Sequence, residues 1–163
     1  MKYAGIYCMI ASSTFIGCSA SATLSQRIKR IRLIRKLVDA IITELRSKLP
    51  YIPNLLRSLA EQQAFTELRF LKNASAYADS FPESWIQAIH DDCLLQTDEK
   101  HVLDTIGRTL GSTTLEGQLS ALNLCQEELK AMEEDAELLF KQRGSLYRSI
   151  GLLCGCFAAI LLL

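Results

Sequence analysis

The chain has 163 residues, which is enough for one domain with short additional segments, and 49% of them are hydrophobic. Its 18 Lys and Arg residues balance 18 Asp and Glu residues, and the pI is about 6.7. A neutral chain of this kind lacks the overall basic charge that is typical of nucleic-acid-binding proteins. The apolar residues are concentrated at the two ends of the chain, so their distribution is more informative than their number.

The first apolar end runs from Tyr3 to Leu24 and contains no charged residue. About 20 apolar residues are needed to cross a bilayer as a helix, so we predict an N-terminal transmembrane helix over residues 1–24. Two alternatives stay open. The small residues "SASA" after the apolar stretch would suit cleavage of a signal peptide. The sequence "FIGC", from Phe15 to Cys18, loosely resembles the lipidation box of a lipoprotein.

A cluster of basic residues follows this segment. In "RIKRIRLIRK", residues 27–36, six of ten residues are Lys or Arg, and Lys141, Arg143 and Arg148 precede the second apolar end. Loops on the cytoplasmic side of a membrane carry an excess of Lys and Arg close to the helix ends. The pattern predicts a two-pass protein of the cell membrane, with the middle of the chain in the cytoplasm and both termini on the far side.

The basic cluster is also part of a predicted amphipathic helix that ends near Pro50. Its apolar stripe recurs every three or four residues and consists of Ile28, Ile31, Ile34, Val38, Ile41, Leu45 and Leu49. The basic side chains off this stripe favour contact with anionic lipid headgroups or docking of a protein partner, for which Arg27, Lys29 and Arg30 are the candidate residues. Nucleic acid is disfavoured, because no aromatic residue is interleaved for stacking on bases.

Apolar periodicity, without a convincing strand pattern, predicts four short helices in the middle of the chain. Pro53 suits the first turn of the second helix, and Pro82 separates the third helix from the fourth. Thr97 is the predicted N-cap of the fifth helix, and Gly111 ends it. The apolar positions of these four helices lie within residues 55–60, 65–78, 85–94 and 102–110.

The sixth predicted helix is the longest. Thr113 and Glu116 have the spacing of a capping box, and a nearly heptad stripe follows, made of Leu115, Leu119, Leu122, Leu129, Met132, Ala136 and Leu139. Acidic residues, Glu133 among them, crowd the other faces and most simply form a solvated surface. Their alternative role is docking of a basic partner, for which the candidate residues are Glu127, Glu128 and Glu134. We expect the N-terminal part of this helix to lie roughly 30 Å or more above the membrane, at 1.5 Å per residue.

The helical pattern continues into the last apolar segment, for which we predict a C-terminal transmembrane helix over residues 147–163. The predicted fold is therefore all-α, with a cytoplasmic six-helix bundle over residues 25–146 between two transmembrane helices. Five connections of a few residues each are typical of such a bundle.

Small residues recur in both predicted membrane segments. Gly151 and Gly155 form G-x-x-x-G in the last segment, and small residues have the same spacing around Gly17 in the first. Small residues on one face let membrane helices approach closely. Gly17, Gly151 and Gly155 therefore predict helix association, either within the chain or between copies as a possible homo-oligomer.

Catalytic and metal-binding patterns are mostly missing. His90 and Cys93 share a helical face, but no paired motif completes a four-ligand zinc site. The sequence "GRTLGS", residues 107–112, lacks the Lys of a phosphate-binding loop, and its two glycines better suit close helix packing. Cys93 and Cys125 would face the reducing cytoplasm, so no disulfide framework is expected. We expect no enzyme activity, no cofactor and no metal.

Three stretches of the chain resemble the stage III sporulation protein AB family of endospore-forming bacteria: "QRIKRIRLIRKLVDAIITEL", "LDTIGRTLGSTTLEGQLSALNLCQEEL" and "YRSIGLLCGCFAAILLL". The family's Gly-x-x-Leu-Gly core corresponds to Gly107, Leu110 and Gly111, and a following Gln corresponds to Gln118. The family's tail, Leu-Gly or Ile-Gly followed by an apolar run, is matched by Ile150, Gly151 and Gly155. The resemblance covers nearly the whole chain.

The resemblance implies a fold similar to the cytoplasmic domain of type II secretion F proteins, a six-helix bundle set in the inner membrane. It implies a non-enzymatic platform component of the channel between mother cell and forespore, placed in the mother-cell membrane around the forespore. The implied partners are membrane lipids and the other stage III sporulation A-operon proteins, including a cytoplasmic ATPase. The alternative is a membrane-anchored adaptor that binds an unrelated cytoplasmic partner.

Overall fold

Helices account for most of the chain in the computed structural model, which describes the backbone of residues 2–48 and 51–161 and the side chains of residues 23–47 and 51–142. Six α-helices follow one another in these ranges: α1 Lys2–Lys48, α2 Ile52–Glu61, α3 Arg69–Ala76, α4 Glu83–Asp91, α5 Thr97–Thr109 and α6 Leu115–Leu161. Two 3-10 turns, Gln63–Phe65 and Ala78–Ser80, flank α3. No strand occurs in the described backbone, so the predicted all-α class and its six helices are confirmed.

The helices divide into two compact units. One unit, Met1–Lys29 with Glu134–Leu163, consists of the outer parts of α1 and α6. The other unit, Arg30–Glu133, contains the remainder of these two helices and all of α2 to α5. We call this second unit the helical domain.

The predicted membrane segments lie almost entirely outside the residues whose side chains are described. Within residues 23–47 and 51–142, no helix is both long and apolar enough to cross a bilayer. The spans over residues 1–24 and 147–163 stay predictions. The same holds for the packing role of Gly17, Gly151 and Gly155, which lie outside the described side chains.

One face of α1 supplies a continuous apolar stripe to the helical domain. The buried side chains between residues 31 and 45 are Ile31, Ile34, Leu37, Val38, Ile41, Ile42 and Leu45. Five of them have the predicted spacing of three or four residues, which places them on one side of a helix with 3.6 residues per turn. Leu37 and Ile42 widen the stripe, as is usual for a helix packed against several neighbours.

The predicted third helix is broken into three pieces. Phe65 lies in the first 3-10 turn, and Leu68 is the residue before α3, with a backbone ψ of 88° that is not helical. Ala78 lies in the second 3-10 turn. All three side chains are buried, as the apolar pattern predicted. The pattern therefore identified the core correctly but could not show where the chain bends between core contacts.

The fourth helix ends earlier than predicted. α4 stops at Asp91, because Asp92 leaves the helical region and its Oδ1 accepts a hydrogen bond from the Leu94 backbone N–H at 2.9 Å. Cys93 and Leu94 are consequently exposed, and Leu95 is buried in their place. Both Cys93 and Leu94 had been predicted to belong to the helix.

Both predicted N-caps are displaced by one residue. Thr97 is the first residue of α5, and its N-cap is Gln96, whose backbone N–H donates to the Glu99 side chain at 3.1 Å. At α6 the hydroxyl of Thr114, rather than that of Thr113, accepts a hydrogen bond from a backbone N–H, that of Gly117, at 3.4 Å. The predicted capping box of Thr113 with Glu116 is therefore wrong.

Trp85 of α4 is fully buried at the contact between α4 and α5. Its indole Nε1 donates to the Leu103 carbonyl of α5 at 2.8 Å, and its ring meets the edge of the Phe70 ring with 5.4 Å between centroids. An alanine-type Cβ on Gly107 would lie 2.3 Å from Trp85 Cδ1. The first glycine of "GRTLGS" therefore lets α5 approach the indole ring closely, as its sequence predicted.

The second glycine of this motif has a different role. Gly111 follows α5 with a φ of 78°, a left-handed conformation that residues with a Cβ rarely adopt. Gln118, in the first turn of α6, stabilises the connection between α5 and α6. Its Oε1 accepts a hydrogen bond from the Gly111 N–H at 3.3 Å, and its Nε2 donates to the Thr113 carbonyl at 2.7 Å. We call the segment from Leu110 to Gln118 the α5–α6 corner.

Replacing Gly107 with Ala should destabilise the protein. A methyl group this close to Trp85 costs up to about 3 kcal/mol by overpacking, whereas Ala gains about 1 kcal/mol in helix propensity. We expect the free energy of unfolding of Gly107→Ala to fall by about 2 kcal/mol, measured by denaturant unfolding of the full chain in detergent with far-ultraviolet circular dichroism.

Gly117→Ala is the matched control for this measurement. The nearest side-chain atom to its added Cβ would be Thr113 Oγ1, at 3.1 Å, and that hydroxyl can rotate away. Its stability should match or slightly exceed that of the unmodified chain. If the Gly107→Ala protein were as stable as the unmodified chain, the Trp85 ring would have to move aside at no cost in stability, and the prediction would be wrong.

Candidate partner-binding surfaces

Arg30, one of the predicted partner-binding residues, is engaged inside the helical domain. Its Nε donates to Glu99 Oε2 at 3.0 Å, and its Nη2 donates to Glu99 Oε1 at 3.3 Å. The Glu99 side chain is 0% exposed and that of Arg30 is 20% exposed. A buried carboxylate must be paired to remain charged, so Arg30 is committed to Glu99 across the contact between α1 and α5.

Arg32 and Arg35 converge on a second acidic residue, Glu133 of α6. Arg32 Nε donates to one carboxylate oxygen and Arg35 Nη1 to the other, each at 2.5 Å. Burial opposes the charged form, but hydrogen bonds and positive charge from both arginines outweigh it and lower the pKa of Glu133. Gln126 Nε2 joins the same helices, donating to the Arg35 carbonyl at 2.9 Å and to Asp39 Oδ1 at 2.7 Å. Glu133 therefore belongs to the helix contact and not to the solvated acidic surface.

Half of the basic cluster, Arg30, Arg32 and Arg35, pairs with acids inside the helical domain. Arg27 is half-buried and has an interaction of its own, whereas Lys29 is exposed. In the helical domain, Lys36 is exposed and forms no ion pair with another described residue. The binding of lipid or protein by Arg27, Lys29 and Arg30 stays a prediction, and the structure gives Arg30 a role in folding.

The acidic candidates are exposed. Leu124, Glu127, Glu128 and Ala131 have spacings of three, four and seven residues and share one side of α6; we call them the α6 outer row. Leu124 is 63% exposed, and the other three are also exposed. Glu127 and Glu128 make no ion pair or hydrogen bond with any described residue. Glu134, the third acidic candidate, is exposed in the other unit.

Leu124 was not among the predicted site residues. Its signal in the sequence is that it falls outside the core stripe of α6, where Leu122, Cys125 and Leu129 are buried. A leucine outside the core stripe, next to unpaired acids, presents an apolar contact beside negative charge. Such a row suits a partner surface with apolar and basic residues.

The two described thiols differ in reactivity. Cys125 is 3% exposed, and burial, followed by the nearby charge of Glu128, raises its pKa to about 11. Because the thiolate is the reactive form, Cys125 is inert at neutral pH. Cys93 is exposed in the turn after α4. Within residues 23–47 and 51–142, no group of three or more His, Cys, Asp or Glu residues is placed to hold a metal ion.

Comparison with known proteins identifies the family. The family model for stage III sporulation protein AB matches residues 2–163. The chain belongs to the stage III sporulation protein AB family. It is 24% identical over 170 residues to stage III sporulation protein AB of Bacillus subtilis (strain 168), and the match covers 100% of this chain and 99% of that protein.

A solved structure of a stage III sporulation protein AB has the same fold. It is similar to this chain with a TM-score of 0.54 and 22% sequence identity, covering 68% of this chain and 93% of the solved one. The resemblance drawn from Gly107, Leu110, Gly111 and Gln118 is thereby confirmed. Each of these residues has a structural role at the contact with Trp85 or in the α5–α6 corner, which makes them determinants of architecture.

Breaking the Arg30–Glu99 pair should be costly. Arg30→Met removes the guanidinium that pairs with the fully buried Glu99 carboxylate, and breaking a buried pair typically costs about 3–5 kcal/mol. Because Arg30 is partly exposed and water can reach its side of the pair, we expect a loss of about 2–3 kcal/mol in the free energy of unfolding. The measurement is denaturant unfolding of the full chain in detergent.

Two further variants make this result specific. Arg57→Met removes an exposed ion pair, with Asp79 at 2.6 Å, and should cost less than about 0.5 kcal/mol. The double variant Arg30→Met with Glu99→Gln removes both charges and keeps an acceptor for the Gln96 N–H, so it should regain part of the lost stability. If Arg30→Met and Arg57→Met lowered the free energy of unfolding equally, the Arg30–Glu99 pair would contribute no more to stability than an exposed ion pair.

Proposed function

We propose that this chain is a non-enzymatic platform component of the channel complex between mother cell and forespore, and that it couples this complex to a cytoplasmic secretion-type ATPase. Membership in the stage III sporulation protein AB family supports a role in sporulation. The proposed location is the mother-cell membrane around the forespore, with the helical domain in the cytoplasm. The other stage III sporulation A-operon proteins and membrane lipids are the proposed partners, with no nucleic acid among them.

A scaffolding role is supported by how the charged groups are used. Two sets of ion pairs, Glu99 with Arg30 and Glu133 with Arg32 and Arg35, hold helices together. Such pairs fix the relative positions of helices, as a platform requires. The long helices α1 and α6 both contribute to the helical domain and to the unit that contains the predicted membrane segments.

The α6 outer row is the observation that carries the proposed coupling. In the basic cluster, Arg30, Arg32 and Arg35 pair with acids of the helical domain. Glu127 and Glu128, in contrast, are exposed and unpaired among the described residues. Complementary charge speeds association, and burial of an apolar residue such as Leu124 slows dissociation. We propose that a basic surface of the ATPase with an apolar contact binds this row.

Reversing the two acids of this row should weaken capture of the ATPase. In a Glu127→Lys/Glu128→Lys protein, attraction becomes repulsion, and we expect the apparent affinity to fall roughly tenfold or more at low salt. The measurement is a pull-down of the purified ATPase from the same operon on the full chain in detergent. Capture by the unmodified chain should also weaken as salt rises, because screening acts on exposed charges.

The matched control is Glu61→Lys/Glu67→Lys, which makes the same change of charge at exposed positions elsewhere in the helical domain. It should retain the ATPase as well as the unmodified chain. Both variants should keep the helical circular-dichroism signal. Undiminished capture by the Glu127→Lys/Glu128→Lys protein, at low and high salt, would remove the α6 outer row from the proposal and favour the adaptor alternative with another surface.

The proposed topology can be tested with Cys93. Cys125 is a poor reporter because it is buried with a raised pKa, whereas Cys93 is exposed in the helical domain. In a chain whose other five cysteines are replaced, we expect an impermeant maleimide to label Cys93 only after cells are permeabilised.

A control for this labelling is Lys2→Cys in a chain that lacks the natural cysteines. This position lies at the outer end of the first predicted span, residues 1–24, so it should be labelled in intact vegetative cells that express the chain, in which the far side of the cell membrane faces the medium. Labelling of Cys93 in intact cells, under conditions in which a cytoplasmic marker protein stays unlabelled, would place the helical domain outside the cytoplasm and contradict the proposal.

A further inference from the structure

An open groove of about 590 Å³ lies between α3 and α4 in the helical domain. Its main polar lining consists of Asn73 in α3, Tyr77 just after it, and four residues of α4: Glu83, Ser84, Gln87 and Asp91. Two of these side chains are carboxylates, and no Lys or Arg lines the space. We call this feature the α3–α4 groove.

The hydrogen-bonding capacity of the groove is unused within the described protein. None of its polar lining side chains forms a hydrogen bond or ion pair with a described residue, although hydroxyls elsewhere, such as Ser75 and Thr105, bond to carbonyls of their own helices. The exposed groups face solvent. Ser84 Oγ is buried and has no hydrogen-bond partner among the described residues, which is rare among buried polar atoms.

Asp91 is placed where the fold gains nothing from it. It lies in the last turn of α4, and the negative end of a helix dipole disfavours an anion there. Its neighbour Asp92 closes the following turn through Leu94, and Lys100 donates to the His90 carbonyl at 2.8 Å. Asp91 itself has no ion pair or hydrogen bond with a described residue, so its carboxylate is available to a cation in the groove.

Tyr77 adds an aromatic face to this acidic space. Its side chain is 73% exposed and, unlike Phe70 and Phe81, it takes no part in the ring cluster around Trp85. An exposed aromatic ring beside carboxylates binds planar cations well, because the ring face attracts positive charge.

We propose that the α3–α4 groove binds an arginine side chain presented by a segment of another protein. A guanidinium offers five N–H donors in one plane and stacks on aromatic rings. Glu83 and Asp91 lie eight residues, about 12 Å, apart along α4, so the guanidinium pairs with one carboxylate at a time, and the side-chain oxygens of Asn73 and Gln87 can accept its other donors. A lysine ammonium has three donors and no planar face, so it satisfies this lining less well. The proposal does not depend on the α6 outer row.

The test uses the full chain in detergent and a defined probe, the capped pentapeptide Gly-Ala-Arg-Ala-Gly. Binding is followed by the nuclear magnetic resonance signals of the Asn73 and Gln87 side-chain amides. We expect saturable shifts of these signals with the arginine peptide and affinity several-fold lower with the lysine peptide, in line with the loss of bidentate and stacking contacts. The peptide with citrulline, which has a similar shape without charge, should not bind.

Groove variants locate the binding. Glu83→Gln/Asp91→Asn should lower the affinity for the arginine peptide about tenfold or more, because charge-assisted hydrogen bonds are replaced by neutral ones. Tyr77→Ala should also weaken binding. The matched controls are Glu61→Gln/Glu67→Gln and Tyr51→Ala, since Tyr51 is 66% exposed and lies outside the groove; both should bind as the unmodified chain does.

Three results would overturn the proposal. The first is equal binding of the citrulline peptide, which would remove the role of positive charge. The second is unchanged affinity in Glu83→Gln/Asp91→Asn. The third is self-association, measured by light scattering, that these groove variants abolish, which would make a second copy of this chain the occupant.

Discussion

The Glu99 carboxylate is fully buried, and that is possible because Arg30 reaches it from α1, 69 residues earlier in the chain. An unpaired carboxylate in the interior would cost several kcal/mol, so any arrangement that separates α1 from α5 is penalised. Apolar contacts along α1 favour burial but have no direction. The two hydrogen bonds of the pair do have direction, and they favour one register of α1 against α5 among those that the apolar stripe would allow.

Other parts of the helical domain follow the same principle, in which directional contacts select one packing of apolar faces. The hydrogen bond from Trp85 to the Leu103 carbonyl fixes α4 along α5, and Gly107 provides the space for it. Gln118 fixes the path from α5 to α6 through the backbone of Gly111 and Thr113. Glu99 takes part twice, since it also accepts from the Gln96 N–H at the start of α5.

How much of this could be predicted differs between apolar and polar residues. The apolar periodicity of α1 correctly located its core, because a helix with one buried face must repeat its apolar residues every three or four positions. The breaks around α3 were missed, since Phe65, Leu68 and Ala78 are buried whether or not the chain between them is helical. The end of α4 was missed because a hydrogen bond to the Asp92 side chain stops the helix. The spacing of apolar residues carries no information about such a bond.

The candidate sites were less predictable for a related reason. A charged residue near an apolar stripe looks the same in the sequence whether it meets solvent or a partner from a distant helix. Glu133 was therefore taken for a solvated residue, although it is part of a long-range ion pair. The partner binding predicted for Arg30 stays a prediction, and the sequence did not show that Arg30 also pairs with Glu99. Glu133 differs from exposed acids such as Glu127 and Glu128 because it meets the arginines of α1. Its two arginine partners lie 98 and 101 residues earlier in the chain.

The residues that identify the family and the residues offered to partners are largely distinct. Gly107, Leu110, Gly111 and Gln118 match the family's pattern, and each serves a close approach, a buried contact or a turn within the fold. The surfaces with unused capacity, the α6 outer row and the α3–α4 groove, contain none of these four residues. A family pattern built on packing transmits the architecture of the fold. The two proposed contacts would instead depend on exposed residues that the fold does not use, which in this chain are an acidic row with a leucine and an acidic groove with a tyrosine.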